Sequence, residues 1–523
     1  LAEVTHAYLV GSGIGSLAAA AFMIRDGGMA GKNITILERD AVLGGSLDAA
    51  GNSDTGYSMR GGRMFTSSNY ECTWDLFKTI PSLADSNQSV YAETLDFNTK
   101  HRSHALARLV DRERAIVPVK SMGLSMHDRA NLLHMVRAEE TDLGCTRISD
   151  WFASEFFSTN FWFIWSTTFA FQPWHSAVEF RRYLHRFMLE FSRIDTLAGV
   201  KRTIFNQYDS LVLPLTHWLA SHGVNVMPNC QVTELDHEYE EGRFMVTGIQ
   251  YSTHGKPDRI PLNADDLVFV QNGSMTDSSS VGTMTEAPAA IEQSSGGGWS
   301  LWESLASVGL DFGDPKAFNG CIAQSWWGSF TVTLHDSKFF EAMRDFSGND
   351  AGTGGLVTFK DSNWLLSIVL PHQPHFLNQP AGTQVFWGYS LYGDRIGNFV
   401  AKPMAECTGR DILKELLGHL RFDAAVLEGA NCIPCRMPYI TSQFMPRSHS
   451  DRPLPVPPDS KNMAFISQFV EIANDTVFTV EYSIRAAQMA VYQLLHIERP
   501  IPRISPNDRS LRTQMEAVVK AFE

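Results

Sequence analysis

The segment from Ala7 to Glu38 leaves this chain little choice of fold. Residues 7–10 (Ala-Tyr-Leu-Val) are a short apolar run that stops at Gly11. Gly11-Ser-Gly13-Ile14-Gly15-Ser16 follows, then a strongly helix-forming run, Leu-Ala-Ala-Ala-Ala-Phe-Met-Ile. A second apolar run, Ile34–Leu37, ends on Glu38. Strand, glycine turn, helix, strand and acidic residue make one βαβ unit of the dinucleotide-binding type. Gly11 permits the tight turn and Gly13 lets the backbone approach a pyrophosphate. The helix start at Ile14 and Gly15 offers free N–H groups and the positive end of a dipole. Ser16 stands where a third glycine often sits, and is small enough for close packing of helix on strand. Glu38, about 20 residues on, is the acceptor for an adenosine ribose.

After Glu38 runs Arg39-Asp-Ala-Val-Leu-Gly44-Gly45-Ser46-Leu-Asp48. An acidic residue followed by a Gly-Gly pair resembles the flavoprotein variant of the fold, in which a second glycine turn accommodates extended FAD. Far downstream, Phe469 to Ser483 reads as a strand leading into the helix that opens at Ile484. Such a junction is expected to return to the flavin, with Phe478, Thr479 and Val480 offering backbone N–H groups. The fold class is therefore α/β: a discontinuous Rossmann-like FAD-binding domain with inserted substrate-binding domains and a helical C-terminal portion. The expected division is an FAD-binding first part over 1–130, a helical aromatic-rich segment over 131–200, and an FAD-binding middle part over 201–285. A substrate-binding domain over 286–425, a return over 426–500 and a helical tail over 501–523 complete it. Within the middle part, Leu211–Leu219 reads as helix, and 223–227, 244–251 and 266–271 as strands.

Composition closes other routes. The net charge of −14 argues against a nucleic-acid surface, which needs a basic face. Seven cysteines without framework spacing fit a reducing compartment, and the expectation is a cytoplasmic protein. No secretory signal opens the chain, and the aromatic stretch 151–174 is interrupted too often to span a membrane. Cys432 and Cys435 have Cys-x-x-Cys spacing, but no second ligand pair accompanies them, and no metal is expected.

Several longer strings go beyond a generic flavoprotein: Arg60-Gly61-Gly62-Arg63-Met64-Phe65, Tyr70-Glu-Cys-Thr-Trp-Asp-Leu-Phe77, Phe205-Asn-Gln-Tyr208-Asp-Ser-Leu, Gln271-Asn272-Gly273-Ser274-Met-Thr276, Lys402-Pro-Met-Ala-Glu-Cys-Thr-Gly409 and Met437-Pro-Tyr-Ile-Thr441-Ser442-Gln-Phe-Met-Pro-Arg447. Together they resemble the oleate hydratases, once labelled myosin-cross-reactive antigens, over nearly the whole chain. The resemblance implies FAD-dependent addition of water across the cis-9 double bond of oleate. The product would be a 10-hydroxy fatty acid, formed without net redox change and with the reduced cofactor the more active. It implies Tyr208 as the proton donor to the alkene. Cofactor contacts are implied at Gly11, Gly13, Ile14, Gly15, Glu38, Arg39, Gly45, Ser46, Arg60, Gly61, Gly62, Arg63, Val232, Asn272, Gly273, Ser274, Phe478, Thr479 and Val480. Asn431, Cys435, Thr441 and Ser442 are candidates for the fatty acid carboxylate.

One departure bears on mechanism. Most members of that family carry a glutamate after Arg-Gly-Gly-Arg, thought to handle the attacking water; here the residue is Met64, beside Arg63. A thioether is a weak acceptor and no base. Backbone carbonyls, the flavin edge or another carboxylate such as Asp48 would have to take over. Phe156, Phe157, Phe161, Trp162, Trp165, Phe169 and Phe171 are either tunnel wall or plain core. Competing readings are a fatty acid double-bond isomerase, a flavin oxidoreductase and a non-catalytic fatty-acid-binding protein. A monomer is expected over a homodimer, with transient membrane contact compatible with a substrate that lives in bilayers.

Overall fold

Five short apolar runs, drawn from both ends and the middle of the sequence, line up as one sheet. The computed structural model describes residues 5–62, 64–290, 297–308 and 311–522. Met463–Phe465, Leu267–Val270, Ala7–Val10, Ile34–Leu37 and Asn225–Met227 lie side by side in that order, each neighbouring pair parallel. Leu267–Val270 is buried at every position, as a strand covered on both faces requires. Strand order reverses about Ala7–Val10, so the crevice beyond the carboxyl ends of Val10, Leu37 and Val270 is a topological switch point.

The helix Ile14–Arg25 is buried from Ile14 to Met23 and packs along the helix Val480–Leu494. Its small residues make that approach possible. A Cβ on Gly15 would stand 2.5 Å from the carbonyl oxygen of Ile466, so glycine is obligatory there. The role expected of Ser16 thus falls to Gly15. Ser16 instead accepts a hydrogen bond of 2.8 Å from the side-chain amide of Gln271.

A second, seven-stranded sheet runs Ser280–Val281, Asn431–Met437, Trp327–Leu334, Gln384–Ser390, Leu366–Val369, Leu356–Phe359 and Leu109–Val110. Its pairs are antiparallel except the last. It draws strands from 109–110 and 431–437 as well as from 286–425, so this layer crosses the expected domain divisions at 130 and 425. Cys432 and Cys435 lie three apart on one strand and therefore face opposite sides of it. Cys432 belongs to the core of this sheet and Cys435 to the main core, and both are free.

The strand expected over 469–483 is absent, and the helix begins at Val480 rather than Ile484. Side chains answer the backbone of this stretch in place of a neighbouring strand. Ser467 Oγ accepts from Phe469 N at 3.0 Å, Tyr482 Oη from Ile472 N at 3.0 Å, and Gln468 Oε1 from Phe478 N at 2.5 Å. The expected helix at 211–219 is preceded by a π turn, Tyr208–Val212, before the α-helix Leu213–Ser221. No helix among the described residues is long and apolar enough to cross a membrane.

Candidate active site

Two hollows meet at Phe478, Thr479 and Val480. The first is a polar groove at the switch point, walled by Gly13, Ile14, Gly15, Gly45, Ser46 and the Gln271–Met275 turn. The second is a larger, mostly apolar cavity between the sheets, reached by Gly61, Gly62, Met64, Phe169, Trp387 and His375. Phe478, Thr479 and Val480 line both. Phe478 takes a left-handed φ of 65°, and Thr479 caps the following helix by accepting from Tyr482 N. The N-terminus of that helix therefore opens on the seam.

The groove is built from crowded glycine backbones. Gly11 has φ 88° and donates to Leu37 O at 2.8 Å. Gly44 N donates to Ser12 O at 3.1 Å, and a Cβ on Gly45 would lie 3.1 Å from Gly13 Cα. The two glycine turns thus lie against each other, which side chains would prevent. No side chain caps the helix at Gly13, so its first N–H groups remain available to an anion. Glu38 is buried, accepting from Ser12 N at 2.7 Å, Ser12 Oγ at 2.5 Å and Asp40 N at 2.8 Å. Arg39 pairs with Asp277 at 2.8 Å. Val232 follows Cys230, whose N–H donates to Glu38 O at 2.8 Å, on the Glu38 side of the groove. Asn272 is fully buried; its amide donates to Phe469 O at 3.2 Å, while Ser467 Oγ donates to its carbonyls. Gly273 has φ 69° and lies against Phe469 and Trp299. Gln271, which opens one of the strings quoted above but carried no expected contact, lays its amide over Gly13: a Cβ there would meet Gln271 Oε1 at 2.4 Å.

The Arg-Gly-Gly turn divides between the two sides. Arg60 forms a two-pronged pair with Asp48 at 3.0 and 3.2 Å and reaches Cys435 Sγ at 3.6 Å. Asp48 is thereby committed to Arg60 and lines neither hollow. Gly61 and Gly62 do line the cavity, and a Cβ on Gly62 would lie 2.6 Å from the Trp387 ring. Met64 lines the cavity too, its carbonyl accepting from Tyr70 Oη at 2.8 Å. Arg63 lies outside the described residues.

Tyr208 opens the π turn, a feature that often marks functional sites. Its ring stands against the second glycine turn, 3.5 Å from where a Cβ on Gly44 would be. Its neighbours Phe205 and Gln207 line the cavity, whereas Tyr208 itself does not. Burial, then the charges of Asp209 and Asp48, push its phenol above the ordinary value.

The four residues expected at a carboxylate are not gathered at the cavity. Asn431 donates to Thr55 O at 2.8 Å, Thr441 to Ser325 O at 2.9 Å and Ser442 to Tyr439 O at 2.8 Å, the last two fully buried. Cys435 is taken by Arg60, and none of the four lines the cavity. Their hydrogen-bonding capacity is spent on the fold. Of the seven aromatics named above between 156 and 171, only Phe169 reaches the cavity; Phe156, Phe161, Trp162, Trp165 and Phe171 are buried core.

Behind the seam lies a buried ion cluster. Arg182 pairs with Glu471 at 2.6 Å and Glu140 at 2.7 Å, and Arg447 with Glu471 at 2.8 Å and Glu179 at 3.1 Å. Arg186 and Arg485 clasp Asp475, at 3.1 and 2.9 Å. The cluster ties the 466–479 loop to the helix Ala177–Arg186. It lay beyond sequence reading because each ion is ordinary alone, and the partners are as many as 289 residues apart, as Arg182 and Glu471 are.

A Rossmann-type sheet with a double glycine turn, joined by a shared seam to an enclosed apolar cavity, defines a dinucleotide-fold protein with an apolar second site. The chain belongs to the MCRA family, whose sequence model matches residues 4–492. It is 40% identical over 510 residues to an oleate hydratase of Streptococcus pyogenes serotype M49 (strain NZ131), covering 95% of this chain and 86% of that protein. A linoleate hydratase of Lactiplantibacillus plantarum is 32% identical over 568 residues, covering 99% of each. Among solved structures, cyclohexylamine oxidase from Brevibacterium oxydans matches at a TM-score of 0.52 and 11% identity, covering 95% of this chain and 100% of that one. That likeness is one of fold alone.

Proposed function

We propose that this chain is an FAD-dependent hydratase that adds water to the cis-9 double bond of oleate, or a similar unsaturated fatty acid, giving a 10-hydroxy acid. The observation that carries the reading is the seam. Phe478–Val480 border both the glycine groove and a cavity apolar enough for an acyl chain, which gains about 0.8 kcal/mol per buried CH₂. The crowded glycines and the uncapped helix start suit a pyrophosphate at Gly13, Ile14 and Gly15. Glu38, Arg39 and Val232 would hold the adenosine end, and Gly45, Ser46 and Asn272–Ser274 the middle. Arg60–Arg63 and Phe478–Val480 would hold the ring. When bound, reduced flavin supplies an electron-rich face against positive charge developing on the alkene.

The chain's own residues do the rest. Tyr208 gives its proton to carbon 9 while water gives hydroxyl to carbon 10, and the proton released by the water returns to the phenolate. A phenol raised above its ordinary value is a weak acid, so the developing cation needs the charge of a reduced flavin beside it, with transfer concerted with water attack as the alternative. Water handling falls to an acceptor other than residue 64. His375 is the candidate: it lines the cavity, its Nε2 is buried without a hydrogen-bond partner, and burial and then His372 hold its pKa down to about 3. A neutral imidazole accepts a hydrogen bond from water at any physiological pH. The same reading takes the working form as a cytoplasmic monomer with transient bilayer contact; a stable dimer sedimenting at micromolar concentration would overturn the monomer.

Mass spectrometry after incubating the FAD-loaded, reduced protein with oleate in isotopically labelled water tests the reading. The expected product is a hydroxystearate carrying label from water. A shifted alkene would make the protein an isomerase, and stoichiometric flavin bleaching by substrate an oxidoreductase. Unchanged oleate under the same conditions refutes hydration.

A further inference from the structure

One arginine on the wall of the apolar cavity, and a second behind it, are left without a counter-ion among the described residues. Arg202 lines it, and its backbone is clamped: Arg202 N donates to Asn98 Oδ1 at 3.0 Å and Asn98 Nδ2 returns to Arg202 O at 2.7 Å. Its guanidinium touches only neutral groups, Ser103 Oγ at 2.8 Å and Gly352 O at 3.4 Å. Arg108, 2% exposed, stands behind it. That guanidinium donates to Thr168 Oγ1 at 2.9 Å and to Ile194 O, and its Nε has no acceptor. Thr168 and Ile194 are cavity wall. Among the described residues neither arginine has a carboxylate within 4.0 Å, although the chain is acidic overall. The acids nearby are already engaged: Glu190, the one carboxylate on the described wall, is held by Arg193 at 2.8 Å, and Asp195 by Lys520 at 2.9 Å.

Burying a cation without a partner is costly, and proteins keep such sites where a ligand supplies the missing charge. Burial lowers both guanidinium pKa values to about 10, that of Arg108 also through the charge of Arg202, so both remain protonated at neutral pH. His372 lines the wall as well, with its ring centroid 4.4 Å from that of His101. Phe97, Phe187, Leu197, Val200, Leu356 and Val369 give this wall its apolar surface. A ligand for this wall therefore has one anionic head and a long apolar body. A planar guanidinium fork matches a carboxylate.

We infer that Arg202, backed by Arg108, is the anchor for the carboxylate of the fatty acid, in place of the Asn431, Cys435, Thr441 and Ser442 set. The inference rests on the fatty-acid reading above and adds the group that recognises the head. It also makes the protein selective for free acids over their esters.

The test is displacement of cis-parinaric acid from the flavin-loaded protein by oleate and by methyl oleate, with no turnover required. The wild-type protein prefers oleate. Arg202→Met loses about tenfold to a hundredfold of oleate affinity, the worth of a charge-assisted hydrogen bond, and leaves methyl oleate unchanged. Arg202→Lys, which keeps the charge but not the fork, falls between them and serves where the methionine variant does not fold; a lysine variant with the full wild-type preference for the acid, while the flavin spectrum shows an intact fold, counts against the fork. An Arg202→Met protein that keeps the wild-type ratio of oleate to methyl oleate overturns the anchor, as does a wild-type protein with no preference for the acid. The two readings fail separately: absence of hydroxylated product counts against hydration, and an unchanged acid-to-ester ratio counts against Arg202.

Discussion

Replacing Glu471 by glutamine keeps the side chain's size and removes one charge from the cluster behind the seam. Glu471 meets Arg182 at 2.6 Å and Arg447 at 2.8 Å, with Arg452 at 4.0 Å. Burial pushes its carboxyl up, but Arg182, Arg447 and Arg452 outweigh that and hold it at about 2 against an ordinary 4.5. That gap corresponds to about 3 kcal/mol of stability at neutral pH. It agrees with the roughly 3–5 kcal/mol lost when one partner of a buried pair is removed. For a chain of this size that is a fall in Tm of about 3 °C. The sign with pH follows from the lowered value. The contribution of Glu471 is complete above the ordinary carboxylate range and is lost as pH falls from about 4.5 toward 2. Thermal melts of wild type and Glu471→Gln should therefore differ most at pH 7 and converge on acidification. A difference below about 1 °C at pH 7, or one that persists undiminished at about pH 3, refutes the reasoning.

Tyr208→Phe removes the proton donor and is expected to lower kcat by at least about a hundredfold with flavin binding intact, read by product formation beside the flavin spectrum; near-normal turnover would remove Tyr208 from the reaction. Gly15→Ala sets a methyl group 2.5 Å from Ile466 O, so the helix must shift and flavin affinity should fall by tenfold or more, about 1.4 kcal/mol, in equilibrium titration. Met64→Glu places a carboxylate on the cavity wall and should raise kcat, read by product formation at saturating oleate. His375→Leu should lower kcat without affecting oleate displacement of cis-parinaric acid, and an unchanged kcat would send the water elsewhere.

The parts legible in the sequence were those whose requirements are local. The first βαβ unit announces itself because a turn at φ 88° needs glycine at position 11, and the strand Leu267–Val270 because it is apolar at every residue. The second glycine turn was legible for the same reason. The stretch 469–483 reads as strand in the sequence because its β-branched and aromatic residues carry strand propensity. Tertiary hydrogen bonds from Ser467, Gln468 and Tyr482 override it. Thr441 and Ser442 could not be told from ligand donors, since only the fold reveals that their hydroxyls serve Ser325 O and Tyr439 O. The aromatics over 156–171 have equal claim to a tunnel until the helix Asn160–Phe169 shows which face it turns, and that face presents Phe169.

The arginines of this protein sort by what neutralises them, and the sorting separates scaffold from site. Arg182, Arg186, Arg447 and Arg485 are buried and each meets a carboxylate of the chain within 3.1 Å. Their charge is consumed in fixing the 466–479 loop, and with it the Phe478–Val480 seam. Arg108 is enclosed as deeply and Arg202 is half-buried on the cavity wall, yet both have only hydroxyls and carbonyls for company. Methionine at position 64 sharpens the contrast. A glutamate there would add negative charge to a wall whose one described carboxylate, Glu190, is already paired. Without it the cavity keeps a positive balance, which favours an anionic chain, and gives up a base. Binding and chemistry are thus set by different residues along one wall, so Arg202 variants should move affinity and Met64 variants should move turnover.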